Sequence, residues 1–169
     1  MDLVEIKFRS GTAADTDEIM RLIRSAVKHM DETGIPQWDE IYPARSDIEA
    51  DIAAETLFVG TIDGRIAVIY VLNHQYDDGY KNGAWKQPDV PYIVLHKLCV
   101  SPDFQNMGIA ARTLSQLEAQ ARRLGYGAVR LDAFTRNPYA LRLYEKDGFS
   151  AVGTAMFRKG EFYLMEKYL

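Results

Sequence analysis

Residues 105–110 read QNMGIA, which puts Gly108 and Ala110 where a nearly unbroken apolar run gives way to helical periodicity. Backbone N–H groups at a helix start lack partners and attract anions, and small residues let an anion approach. A turn that only reversed the chain would favour Asn-Gly, Asp-Gly or Pro-Gly. The stretch therefore suits a phosphate or pyrophosphate, although Gly108 alone would also fit a tight turn. A second set, Asn137, Ala140 and Tyr144, falls at i, i+3 and i+7, roughly on one face of a helix. Asn137 is equally explicable as a helix cap, and Tyr144 as a core aromatic. His96 lies in the apolar run itself. A neutral imidazole can take a proton from an ammonium group near neutral pH, yet a histidine there can equally be a satisfied core residue. Cys99, without a flanking cation or base, reads as packing.

These groups need a scaffold, and the chain supplies its elements in order. Residues 3–9 alternate as a first strand. Thr12 and Asp15 have capping-box spacing before a helix whose face carries Ile19, Leu22, Ile23, Ala26, Val27 and Met30. A shorter helix is expected over 46–54 with Ser46 as its cap. Strands at 56–62 and 65–72 flank Asp63-Gly64, a hairpin signal. The run from Tyr92 to Val100 reads as a strand buried on both faces. A helix carrying Ala110, Leu114, Leu117, Ala121 and Leu124 closes at Gly125. Val129, Leu131 and Ala133 alternate with Arg130 and Asp132 as another strand. Asn137-Pro138 opens the last helix and Gly148 ends it. Residues 150–157 and 161–168 form a final hairpin. Only 92–134 forms a clear strand-helix-strand unit. The fold predicted is a single-domain mixed α/β layer: a mostly antiparallel twisted sheet of about seven strands with one parallel pair and about four flanking helices. The hexapeptide falls at the carboxyl end of the buried strand, where open sheets tend to bind ligands.

The chain of 169 residues carries 20 basic and 24 acidic groups, net −4, so there is no electrostatic footprint for nucleic acid or an anionic membrane. Its opening residues show no secretory leader, and no segment has transmembrane length. One cysteine excludes an internal disulfide, and the three histidines are scattered. The expectation is a reduced, cytoplasmic protein without a metal.

At residues 92–150 the sequence resembles the GNAT superfamily of acyl-CoA-dependent N-acetyltransferases. The superfamily's acetyl-CoA motif is matched by Gln105, Gly108 and Ala110 after Val100-Ser101-Pro102. Its second motif is matched by Asn137, Tyr144, Gly148 and Phe149. QWDEIYP at 37–43 also resembles a segment of a bacterial subgroup. The resemblance implies that main-chain N–H groups of Gln105, Asn106, Met107, Gly108, Ile109 and Ala110 hold the pyrophosphate of acetyl-CoA as cosubstrate. It also implies that the backbone of Leu98, Cys99 and Val100 pairs with the pantetheine arm, lined by Asn137 and Ala140. Tyr144 would protonate the departing thiolate, and His96 stands where some relatives carry histidine. Three positions depart from the pattern: Ala110 for the commoner glycine, Met107, and Asp147 where an apolar residue is frequent.

The acceptor implied is a primary amine, a small molecule or a peptide. Two long connections look built for it: 31–44 with Trp38 and Tyr42, and 73–91 with Tyr76, Tyr80 and Trp85, which leads to Tyr92. A homodimer is compatible with this reading. Three rivals stay open: transfer of another acyl group or to an O-acceptor, a non-catalytic acyl-CoA sensor, and a nucleotide-binding module. The last lacks both P-loop and dinucleotide glycine patterns.

Overall fold

In the computed structural model, which describes residues 4–169, the apolar stripe of the first helix does what its spacing requires. Ile19, Met20, Leu22, Ile23 and Ala26 of α1 (Thr16–Glu32) are buried against Leu57, Val59, Ile69 and Val71. Burial of such side chains contributes about 1.5–3 kcal/mol each. A single 3₁₀ turn, Ala13–Asp15, precedes α1, and the Asp15 carboxylate accepts the Thr12 N–H at 2.8 Å. The shorter helix, α2 (Arg45–Ala53), begins one residue before the expected position. Its start is secured by Asp47, whose carboxylate accepts the Ala44 N–H at 2.7 Å, so Ser46 is not the cap.

The remaining elements are β1 (Lys7–Ser10), β2 (Leu57–Ile62), β3 (Arg65–Asn73), β4 (Tyr92–Val100), α3 (Ile109–Arg123), β5 (Ala128–Phe134), α4 (Pro138–Asp147), β6 (Ser150–Phe157) and β7 (Gly160–Tyr168). The first strand was expected over 3–9; it begins at Lys7, and Leu3 lies outside the described residues. The seven strands lie in the order β1-β2-β3-β4-β5-β7-β6. The pairing of β4 with β5 is parallel, whereas β1 with β2, β2 with β3, β5 with β7 and β6 with β7 run antiparallel. The β2–β3 turn has φ of 50° at Asp63 and 79° at Gly64, the paired positive values that a tight hairpin needs.

Two compact units make up the chain. One comprises the residues up to Val71 together with Lys97–Thr113; the other comprises Leu72–His96 and Leu114–Leu169. In the first unit a second cluster joins Ile62, Ala67, Val68 and Ile109. In the second, Tyr80, Val94, Ala155 and Leu164 form the packed centre, with Trp85 and Tyr92 against it.

Strand β4 departs from the expected run buried on both faces. Ile93, Val94 and Leu95 are buried, but His96, Lys97 and Leu98 are half-buried. The physical reason is a kink: Lys97 has φ of 53°, a left-handed conformation that costs a non-glycine residue about 1–3 kcal/mol. An ion pair fixes that residue. The Lys97 ammonium meets the Asp51 carboxylate at 2.8 Å and stands 5.3 Å from the centre of the Tyr42 ring. Burial alone would pull the lysine down, but Tyr42 and Asp51 outweigh it and hold Lys97 above its ordinary pKa.

Candidate active site

The helix entrance is built from the end of β4 outward. The Ser101 N–H donates to the Ala67 carbonyl at 2.7 Å, and the Ser101 hydroxyl accepts from the Asp103 N–H. A 3₁₀ turn over Pro102–Phe104 follows. Arg65 pins it, pairing with Asp103 at 2.9 Å and covering the Phe104 ring. Asn106 and Gly108 then take left-handed φ of 64° and 67°. The Arg112 N–H makes the first helical bond, to Gly108, so those of Ile109, Ala110 and Ala111 have no partner inside the helix. A Cβ on Gly108 would meet no atom within 4 Å, so its φ, not crowding, calls for glycine. Ile109, only 2% exposed, anchors the helix start, while Gln105, Asn106 and Met107 are exposed. This loop fits a phosphate-bearing group: exposed at Gln105–Gly108, with donors that have no partner inside the helix.

Helix α4 carries the second set. The Asn137 side-chain oxygen accepts the Ala140 N–H at 3.1 Å, so Asn137 is the cap. Tyr144 packs edge-on against Phe149, ring centres 5.7 Å apart. Burial first, and then the charge of Asp132, hold its phenol well above the ordinary tyrosine value. It therefore keeps its proton throughout the neutral range.

His96 Nε2 lies 2.8 Å from the Gln75 carbonyl. A carbonyl can only accept, so Nε2 carries the hydrogen and, in the neutral ring, Nδ1 carries the lone pair. The Cys99 thiol is buried in the α1 cluster, and burial pushes it up to about 12, which leaves it unreactive as a nucleophile. The acceptor candidates have structural neighbours of their own. Trp38 packs against the α1 cluster, Tyr42 faces Lys97, and Tyr92 stacks on Arg130 at 3.7 Å. A cavity of about 370 Å³ opens between α1 and 39–45, with Met20, Ile23 and Val27 on one side and Asp39 and Glu40 on the other.

The family model of the acetyltransferase (GNAT) family matches residues 21–149. The chain belongs to this family. Its fold is shared with solved GNAT proteins. A GNAT acetyltransferase of Streptococcus agalactiae is 25% identical, with TM-score 0.86 over 97% of this chain and 95% of that one. The PaiA N-acetyltransferase of Thermoplasma acidophilum, solved with coenzyme A, is 16% identical, with TM-score 0.74 over 98% and 99%. The yncA protein of Salmonella typhimurium, solved with acetyl-CoA, is 18% identical, with TM-score 0.71 over 98% and 94%. No curated protein matches the sequence. Among the described residues no helix is long and apolar enough to cross a membrane.

Several groups of this GNAT chain escape a reading by motif. Arg130 and Asp132, the polar alternates of β5, are covered by the 73–91 connection. Trp85 stacks on Arg130 at 4.2 Å, and the Tyr80 hydroxyl donates to Asp132 at 2.7 Å. Asp147, the departure from the motif, has a structural use. Lys167 on β7 meets Asp147 at 3.1 Å and Glu118 of α3 at 2.8 Å, tying α4 to both. Burial, then the neighbouring Asp147, pushes Glu118 up to about 7 from an ordinary 4.5. Between those values the folded chain binds a proton that the unfolded chain has released, so stability falls as pH rises through that window. Wild type should thus lose melting temperature between about pH 5 and 7.5, and Glu118→Gln should flatten that slope. Parallel melting curves across the window would remove Glu118 from the explanation.

Proposed function

We propose that this GNAT acetyltransferase transfers the acetyl group of acetyl-CoA to a primary amine, by direct attack within a ternary complex. The observation that carries the reading is the helix entrance after β4, with left-handed Asn106 and Gly108 and N–H groups at Ile109–Ala111 that have no partner inside the helix. In this reading the main chain of Gln105–Ala110 holds the pyrophosphate. The backbone of Leu98, Cys99 and Val100, beyond the kink at Lys97, receives the pantetheine arm, and Asn137 and Ala140 line it. The solved N-acetyltransferase of Thermoplasma acidophilum with coenzyme A supports both the donor and the nitrogen acceptor.

As the amine nitrogen bonds the acetyl carbon, the C–S bond breaks and Tyr144 gives its proton to the sulfur. An alkylammonium sheds two protons overall. One restores Tyr144; the other leaves through His96 Nδ1 to solvent. The one thiol, Cys99, is buried and protonated, so it does not suit a covalent intermediate. A buried single thiol also accords with a reduced, cytoplasmic setting. Acetyl-CoA should raise the melting temperature, and ATP and NAD should not. Equal shifts from all three would count against a dedicated acyl-CoA site.

Trp38 is assigned to the acceptor side. Trp38→Ala should raise the amine KM more than the acetyl-CoA KM. Because the ring also packs on α1, some stability will be lost. A loss of stability with both KM values unchanged would make Trp38 a packing residue.

A further inference from the structure

Asp51 and Glu118 each meet a lysine, at 2.8 Å in both cases. Asp132, half-buried on β5, forms no ion pair among the described residues. Its hydrogen bond comes from a neutral group, the Tyr80 hydroxyl, 2.7 Å from Oδ2. Tyr80 is itself fixed: it is 3% exposed, its carbonyl accepts the Trp85 indole N–H at 2.9 Å, and its ring stacks on Tyr76. Burial lifts the Asp132 carboxyl above its ordinary value; the Tyr80 hydrogen bond opposes that rise and the charge of Asp77 adds to it. A carboxylate drawn out of water without a counter-charge is costly, and a cationic ligand would offset that cost.

The sheet register gives Asp132 its place. Strands β4 and β5 run parallel with Val94 opposite Arg130. The paired register ends there; two residues further along each strand, alternation puts the His96 and Asp132 side chains on the face of Val94 and Arg130. The 73–91 connection meets both residues: Gln75 accepts from His96 and Tyr80 donates to Asp132. The groups that bear on Asp132 are thus Tyr80 and Asp77 from that connection and Tyr144 from α4.

We propose that Asp132 binds the cationic nitrogen of the amine acceptor on the sheet face that also carries His96, and so selects alkylammonium substrates. This role rests on the N-acetyltransferase reading above. Neighbouring Asp77 adds negative charge, and Tyr76, 51% exposed, adds an aromatic edge suited to the methylenes next to the nitrogen.

The test follows thiol release at saturating acetyl-CoA with four amines: putrescine, spermidine, phenethylamine and glycinamide. Asp132→Asn is the informative variant, because its amide oxygen still accepts from Tyr80 while the charge is gone. It should raise the KM of the best amine about tenfold or more, with acetyl-CoA affinity by calorimetry unchanged. Asp132→Glu should recover part of the loss. If the variant keeps the wild-type amine KM, Asp132 does not bind the acceptor, and the acetyltransferase reading stands. A joint loss of acetyl-CoA binding would make Asp132 structural and overturn the proposal. Failure of wild type to acetylate any of the four would remove the amine reading, and this role with it.

Discussion

Gly108→Val should weaken acetyl-CoA binding about tenfold or more, because the substitution acts on the backbone that would face the pyrophosphate. Gly108 sits at φ of 67°, where a side chain costs about 1–2 kcal/mol and a β-branched one more. The variant relieves that strain by rotating the loop, which re-aims the N–H groups at the start of α3. About 1.4 kcal/mol corresponds to a factor of ten in affinity. The fold should survive, since an added Cβ meets no protein atom within 4 Å and Ile109 still anchors the helix. Two controls separate backbone from bulk. Gly108→Asn accepts left-handed φ and should lose less, and Met107→Ala should be mild because Met107 is exposed. A folded Gly108→Val protein that titrates like wild type would take the pyrophosphate away from this loop.

Tyr144→Phe should lower kcat by roughly 10²-fold, the usual scale for a general acid, with acetyl-CoA affinity unchanged. Phenylalanine preserves the edge contact to Phe149 and deletes only the hydroxyl. Because burial and Asp132 hold the phenol above its ordinary value, its ionisation should not limit kcat anywhere near neutral pH. His96→Gln should act elsewhere, weakening the acidic limb of the kcat/KM profile, since a base is lost. Wild-type kcat in both variants would return the two residues to structure and leave the proton transfers to water.

Much of the scaffold was legible because its signals are local. The α1 stripe, Asp63-Gly64 and Asn137-Pro138 each act within a few residues, and each forms the expected element. The ends of α2 and β1 were displaced for reasons outside such windows. Asp47 supplies a cap to Ala44 that no Ser46 pattern shows, and β1 is set by pairing Lys7 with Thr61. The candidate site divides in the same way. Motif spacing reaches Gly108, Asn137 and Tyr144. It does not reach Asp132, whose partner Tyr80 lies 52 residues away, or Lys97, whose partner Asp51 is 46 away. Alternation along β5 identifies Asp132 as a polar position but says nothing of the connection that covers it.

Direct transfer to an amine is tested most directly by initial velocities with both substrates varied, together with mass spectrometry of the products. Double-reciprocal lines that converge, with N-acetylated amine and free coenzyme A thiol formed in equal amounts, are expected of a ternary complex. Parallel lines would mean an acetyl-enzyme intermediate, and thiol released without N-acetylated amine would mean that the nitrogen acceptor is wrong.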